Sequence, residues 1–137
     1  LVGLLRTTKS KTIDLRDNQL GDGFAAALGA ALGKNELGAV EELVLRHNKI
    51  TDTGGVEIAK GLATNTTLKK IELECNEGLG EGFGAEMLRA LQTNTTLTSI
   101  NLLWTRVPKE MKELIANKNL DNKRAVGFKA LSSGEEK

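Results

Sequence analysis

A segment of 28 to 30 residues recurs four times in this chain, and this repeat limits the possible folds more than any other feature. Three copies align on an asparagine, at Asn18, Asn48 and Asn76, and the fourth copy has Thr105 at the same place. A regular internal period of this length is typical of solenoids, in which each unit packs only against its neighbours.

Each copy begins with apolar residues at alternating positions and continues with apolar residues three or four positions apart. Alternation predicts a short strand with one buried face, and the longer spacing predicts an amphipathic helix. In the third copy, for example, Phe83, Met87 and Leu91 form such a helical stripe. The alternating pairs are Ile13 and Leu15, Leu43 and Leu45, Ile71 and Leu73, and Ile100 and Leu102.

A strand followed by a helix, repeated with right-handed crossovers, builds a parallel sheet whose units stack sideways. Helices are wider than the spacing of about 4.8 Å between strands, so such a stack curves with its strands inside. The predicted fold class is therefore α/β: a right-handed β-α solenoid with four parallel strands on the concave face and helices on the convex face.

The ends of the predicted helices carry their own signals. Acidic residues precede the helices at Asp22, Asp52 and Glu81, where a carboxylate can meet the free N–H groups of a helix start. Asparagines close the helices at Asn35, Asn65 and Asn94, and we expect the last two to adopt the left-handed conformation. Asn65 and Asn94 also begin Asn-Thr-Thr glycosylation motifs, which we interpret as by-products of the repeat.

The pattern Leu-x-x-Ile-x-Leu-x-x-Asn in "LKKIELECN", with a helix closing on "TNTTL", resembles the leucine-rich repeat family and its ribonuclease-inhibitor-like subclass. The stretch "GFGAEMLRALQTNTTLTSINL" is similar to repeats of the NOD-like receptors and of the tropomodulin C-terminal domain. The resemblance covers residues 10–116 and implies a protein-binding scaffold, but it is nearly silent on the partner. Ribonuclease inhibitors are rich in cysteine, whereas this chain has one, so we do not expect a ribonuclease inhibitor.

The two ends depart from the repeat. Residues 1–9 are expected to form the end of a preceding helix or an N-terminal cap, so the chain is either capped there or part of a longer protein. Residues 10–116 form the repeat domain, with a short final helix after Pro108. Residues 117–137 are expected to form a C-terminal cap and a partly disordered tail, with Val126, Phe128 and Leu131 covering the last strand and residues 132–137 disordered.

Composition excludes several classes of function. The charged residues nearly cancel, at a formal net charge of +1, so no bulk field favours nucleic acid or a membrane. The single cysteine, Cys75, excludes an internal disulfide and a cysteine-rich zinc site, and a cytoplasmic location is expected. We expect no cofactor and no metal, and a monomer or a segment of a larger chain.

The candidate partner-binding residues lie on the predicted concave face, where the residues between the buried pairs form four rows across the sheet. Arg16 and Arg46 are neighbours in the third row, and they either bind an anionic group of a partner or pair internally with Asp14, Asp17 and Glu74. The candidate partner-binding residues are Asp14, Arg16, Val44, Arg46, His47, Glu72, Glu74, Leu103 and Trp104.

The fourth row places Asp17, His47 and Cys75 in adjacent copies, in the order of a nucleophilic triad. The repeat itself explains this spacing, no pocket is evident, and no glycines are placed for an oxyanion hole. The glycines of "GLGEGFG" lack the Lys-Ser/Thr of a phosphate-binding loop. We therefore do not expect an enzyme.

Leu103 and Trp104 form a large apolar pair where the other copies are polar. They either anchor a partner or pack under the C-terminal tail, against Val126 or Phe128. The expected function is a protein–protein interaction scaffold that binds another protein through the concave face.

Two alternatives follow from the resemblance. Similarity to tropomodulin implies binding to actin in the cytoskeleton, and similarity to the GTPase-activating protein of Ran implies a regulator of nucleotide hydrolysis. The acidic tail of that second family is missing, since residues 117–137 carry five basic and three acidic groups.

Overall fold

The computed structural model describes the backbone of residues 1–135 and the side chains of residues 1–127. Strands and helices alternate along it, as the repeat predicts. The elements are α1 (Val2–Leu5), β1 (Thr12–Asp14), α2 (Asp22–Gly33), β2 (Glu42–Val44), α3 (Asp52–Thr64), β3 (Lys70–Glu72), α4 (Glu81–Ala90), β4 (Ser99–Asn101) and α5 (Lys109–Glu135).

The strands form one four-stranded parallel sheet in the order β1-β2-β3-β4. Each strand pairs with the strand of the next copy, and the register joins Ile13, Leu43, Ile71 and Ile100 in one line. The core lies between the sheet and the helices, where Leu43 and Ile71 are completely buried together with Leu28 and Met87. The predicted α/β solenoid with four parallel strands is confirmed.

Buried asparagines connect successive copies just beyond the strands. The amide of Asn48 donates to the carbonyls of Leu15 and Leu45, and its oxygen accepts the N–H groups of Asn18 and Leu20. Asn76 is completely buried and repeats the pattern one copy later. This first asparagine ladder (Asn48 and Asn76) satisfies backbone groups where the chain leaves the sheet and cannot form strand hydrogen bonds.

The first ladder stops at the fourth copy. The hydroxyl of Thr105 donates to Leu102 O at 2.7 Å and accepts from Val107 N, both within its own turn. A hydroxyl lacks the second donor of an amide, so it cannot also reach the preceding copy.

A second ladder follows the helices and explains the two glycosylation motifs. Asn65 and Asn94 are each 2% exposed, and each oxygen accepts two N–H groups of the following turn. Their amide nitrogens donate to Leu32 O and Leu62 O of the preceding copies. The expected left-handed conformation is wrong for both residues: Asn65 is extended with φ −72°, and Asn94 does not have a positive φ, because the side chain and not the backbone makes the connection. A buried, bonded amide is inaccessible to glycan attachment in the folded chain.

The sequence suggested that the acidic residues at the helix starts cap their own helices. In the structure, Asp22 and Asp52 cap the next helix instead. The carboxylate of Asp22 in α2 accepts Thr51 N at 2.8 Å and Gly54 N at 3.1 Å, at the start of α3. Asp52 in α3 likewise accepts Gly80 N and Phe83 N at the start of α4. Each carboxylate therefore satisfies free N–H groups of the next helix, and the caps join neighbouring copies.

Replacement of Asp22 by alanine is expected to lower the free energy of unfolding at pH 7 by about 1 kcal/mol, the usual effect of losing a helix cap. Burial acts to raise the pKa of Asp22, but hydrogen bonds from Thr51 and Gly54 outweigh it, and the pKa lies below its ordinary value. A lowered carboxyl pKa stabilises the fold above the unfolded pKa of about 3.9, and this contribution is lost as the pH falls through the folded pKa.

Urea denaturation at several pH values measures this effect. The difference between wild type and Asp22→Ala should shrink as the pH falls below about 4. Glu81→Ala is the matched control, since no hydrogen bond to the Glu81 side chain occurs in the described residues, and it should change stability little. A difference that is constant down to pH 2 would contradict the assignment.

The last helix, α5, is longer than the sequence predicted. It continues through Glu135 because no proline follows Pro108 and because its first half packs against the last copy. Ile115 is 1% exposed, and Asn122 donates to Asn94 O and Leu97 O, which extends the second ladder into α5.

Among the described side chains, the cover of the last strand is made by residues other than the expected Val126. Val126 is 54% exposed, whereas Met111 and Ile115 pack on the core. The side chains of Phe128 and Leu131 lie outside the described residues. Of the expected disordered stretch, residues 132–135 lie in α5, and Glu136 and Lys137 lie outside the described residues. Over the described part of the chain, no helix combines the length and apolarity needed to cross a bilayer.

Candidate functional site

The sheet places the predicted rows side by side on its outer surface, which we call the concave face. The first row runs Thr12, Glu42, Lys70 and Ser99, and the second runs Asp14, Val44, Glu72 and Asn101. Backbone hydrogen bonds continue beyond the strands, from Leu15 N to Val44 O and from Asp17 N to Arg46 O. They align a third row of Arg16, Arg46, Glu74 and Leu103 and a fourth row of Asp17, His47, Cys75 and Trp104.

All four residues of the fourth row have left-handed backbones, with φ between 54° and 59°. This conformation is uncommon for residues other than glycine, and Asp and Asn tolerate it best. In the middle copies, the asparagine after the fourth-row residue holds the turn. Asn76, which follows Cys75, donates to Leu73 O and Glu74 O, which precede Cys75. The fourth row is therefore presented by the same bend in every copy.

Asp14 and Arg16 form a two-pronged ion pair on the first copy. Arg16 Nε lies 2.9 Å from one carboxylate oxygen of Asp14, and Arg16 Nη2 lies 2.5 Å from the same oxygen. The side-chain hydrogen bonds from Arg16 hold the pKa of Asp14 below its ordinary value. Both groups are well exposed, so the pair contributes little to stability and remains available to a partner.

Lys70 occupies the centre of the first two rows. Its ammonium lies 3.1 Å from Glu72 and 3.7 Å from Glu42, and the hydrogen bond to Glu72 is the main cause of its raised pKa. Sequence reasoning named Glu72 but missed Lys70. The sequence could have indicated this cluster, because Lys70 lies beside Glu42 across the strands and two residues before Glu72 on the same strand.

Arg46 and Glu74 are neighbours in the third row but do not pair. Within residues 1–127, no carboxylate lies within 4.0 Å of the Arg46 guanidinium, which is exposed. Glu74 is only 8% exposed, and its Oε1 is buried without a hydrogen-bond partner among the described residues. Internal pairing, one of the two alternatives from the sequence, therefore holds for Arg16 and not for Arg46.

The three residues in triad order are only partly connected. His47 Nδ1 lies 2.5 Å from Asp17 Oδ1, and both side chains are more than half exposed. No hydrogen bond joins His47 to Cys75 in the described part of the chain. These residues line an open depression of about 500 Å³ together with Arg16 and Arg46. A nucleophile needs a contact with its base and a site shielded from water, and neither is present in this arrangement.

Leu103 and Trp104 are exposed, at 53% and 64% of their surfaces. Val126 lies at the other end of β4, in a groove with Thr96 and Thr98, and does not cover them. The alternative in which Val126 covers the apolar pair is therefore wrong, and the one with Phe128 falls outside the described side chains.

The structure brings the nine candidate residues onto one face, with different accessibilities. Val44 is 7% exposed and offers little surface, whereas Arg46, His47, Leu103 and Trp104 offer much more. Cys75 lines the depression beside His47 but was not among the candidates. Among the described residues, no three His, Cys, Asp or Glu side chains come together in a geometry suited to a metal ion.

Comparisons with known proteins agree with this architecture. Residues 40–59, from just before β2 into α3, match the family model described as Leucine Rich repeat. No curated protein sequence matches the chain. The chain has the fold of a leucine-rich repeat domain of the ribonuclease-inhibitor-like type, as the sequence resemblance implied.

Two solved structures are similar over nearly their whole length. The structure described as leiomodin-1 actin-binding site 2 superposes with a TM-score of 0.67 and 17% identity, over 90% of this chain and 88% of that chain. The tropomodulin C-terminal domain of Caenorhabditis elegans superposes with a TM-score of 0.56 and 13% identity, over 96% of each chain. At these identities the likeness concerns the fold.

Proposed function

We propose that this leucine-rich repeat domain is an interaction scaffold that binds a partner protein through its concave face, in the cytoplasm. The observation that carries the proposal is the exposure of Leu103 and Trp104 beside a row of charged side chains in register. Exposed aromatic anchors next to polar groups are what protein interfaces use for affinity and specificity.

Arg46 is the most informative residue to change, because its exposed guanidinium has no carboxylate within 4.0 Å among the described residues. We expect Arg46→Glu to weaken partner binding at least about ten-fold, since it reverses the charge offered to an anionic group of the partner without breaking an ion pair. Pull-down from cell extract identifies the partner, and titration of the purified partner measures the affinity.

Arg124→Glu is the matched control for this experiment. It makes the same charge change on an exposed position of α5, away from the concave face, and should leave binding unchanged. Equal affinities for wild type and Arg46→Glu would remove the concave face as the binding surface. Equal losses in both variants would instead indicate a nonspecific effect of net charge.

Actin is the second candidate partner, and the similarity to leiomodin-1 actin-binding site 2 favours it. Under this candidate, the domain is retained with actin filaments on pelleting or binds labelled actin monomers, and Arg46→Glu reduces that binding. Absence of binding to both forms of actin would exclude this candidate and leave the scaffold proposal intact.

A further inference from the structure

We propose that the concave face receives a guanidinium group, an arginine side chain of the partner, between Glu74 and Trp104. This inference rests on the proposed scaffold function and adds the chemistry of the group that is recognised. It is carried by the buried carboxylate of Glu74, the exposed ring of Trp104 and the positions of the neighbouring cations.

Glu74 is a buried acceptor that lacks a donor. The residue is only 8% exposed, and its Oε1 accepts no hydrogen bond within the described part of the chain. A buried carboxylate oxygen without a partner is costly, because it has lost its water without gaining another donor. A donor brought by a partner would remove that cost once the Glu74 side chain turned outward to meet it, so binding would be favoured at this carboxylate.

The cations on the same face do not serve Glu74. Arg16 is held by Asp14, and Lys70 is held by Glu72 and Glu42. Arg46 is the neighbour of Glu74 in the third row, but its nitrogens are more than 4.0 Å from the carboxylate. Among the described residues, no cation therefore lies within 4.0 Å of the Glu74 carboxylate.

The other side of Glu74 is apolar. Cys75 N donates to Leu103 O at 3.1 Å, which places Leu103 beside Glu74 in the row and Trp104 one residue further along. Trp104 is 64% exposed and Leu103 is 53% exposed, so a planar side chain of a partner can pack on both.

A guanidinium group fits these neighbours better than an ammonium group. It is planar, it is weakly hydrated, it donates in pairs to a carboxylate and it stacks on an aromatic ring. The ammonium of lysine is compact and strongly hydrated, so it gains less from the indole ring of Trp104. We therefore expect a preference for arginine over lysine at this position.

The test uses the full chain and a small probe, so it does not depend on knowing the partner. Trp104 is the single tryptophan, and its fluorescence and indole N–H signal report directly on the site. Nα-acetyl-arginine methylamide is titrated at constant ionic strength, beside the corresponding lysine and citrulline compounds. We expect saturable binding of the arginine compound, with at least about ten-fold weaker binding of neutral citrulline and weaker binding of lysine.

Glu74→Gln provides the decisive variant, and Glu113→Gln on an exposed position of α5 is its matched control. We expect Glu74→Gln to weaken arginine binding at least about ten-fold while raising the thermal midpoint of the protein without ligand, since an unpaired buried charge is removed. Glu113→Gln should change neither quantity. A purely structural role of Glu74, for example an Arg46–Glu74 pair in solution, would instead lower the midpoint.

Three results would overturn the inference: no saturable response to the arginine compound, equal binding to wild type and Glu74→Gln, or a lower midpoint for Glu74→Gln. The scaffold proposal is tested separately by Arg46→Glu and a purified partner. Failure of the arginine probe with retained partner binding would therefore reject the arginine site alone. Loss of the concave face as a binding surface in the other experiment would reject the scaffold proposal.

Discussion

Replacement of Gly61 by alanine is expected to lower the free energy of unfolding by about 3 kcal/mol or more. Gly61 lies in α3 where it crosses α2, and an added Cβ would stand 2.1 Å from Gly29 O and 2.8 Å from Gly29 C. Those atoms belong to a helix backbone and cannot turn aside as a flexible side chain would. The two helices would have to separate, which would open the completely buried contacts of Leu28 and Ile58.

Urea denaturation measures this loss as a lower midpoint at an unchanged slope. Gly23→Ala is the matched control, because Gly23 lies in α2 with no atom within 4 Å of the added Cβ. That change should raise stability by about 0.5 to 1 kcal/mol, since alanine loses less conformational entropy than glycine in a helix. A loss below about 1 kcal/mol in Gly61→Ala would show that the helices shift apart at little cost.

Asn76→Ala is expected to lower the free energy of unfolding by about 3 to 5 kcal/mol. Asn76 is completely buried, and its amide satisfies Leu45 O, Leu73 O and Ile50 N. Alanine removes these hydrogen bonds but leaves the backbone groups where water does not reach. Each unsatisfied group then costs about 1 to 3 kcal/mol.

Asn18→Ala is the matched control at the equivalent position of the first copy. Asn18 is exposed and, in the part of the chain that the structure describes, its amide donates only to Arg16 O, so we expect a change of about 0.5 kcal/mol or less. Thermal unfolding followed by circular dichroism compares the variants. Similar losses for Asn76→Ala and Asn18→Ala would contradict the view that burial, and not the asparagine itself, gives the ladder its effect.

Much of the fold could be predicted because the same pattern of buried and exposed positions recurs in every copy of the repeat. Ile13, Ile71 and Ile100 alternate with polar residues, and Leu43 alternates with Val44, so each copy supports the assignment of the others. The structure pairs these residues in one line, and the predicted concave rows follow from that register. Parallel pairing of equivalent strands leaves little freedom once the period is known.

The candidate site was predictable in position but not in energetics. The sequence placed Arg16, Arg46 and Glu74 in one row, yet only the tertiary structure shows that Arg16 is paired and that Glu74 is buried. Rotamers of long side chains depend on all neighbours at once, so spacing cannot predict them. The left-handed backbone of Cys75 and Trp104 was also missed, although Asp17 at the equivalent position was an indication.

The sequence by itself determined the succession of strand and helix and the register of the copies. These features depend on local periodicity, which every copy repeats. Tertiary structure alone decided that Asp22 caps α3 and not α2, that α5 continues to Glu135, and which carboxylate on the concave face lacks a donor. Those outcomes depend on contacts between residues that are distant in the chain, and such contacts exist only after the copies have stacked.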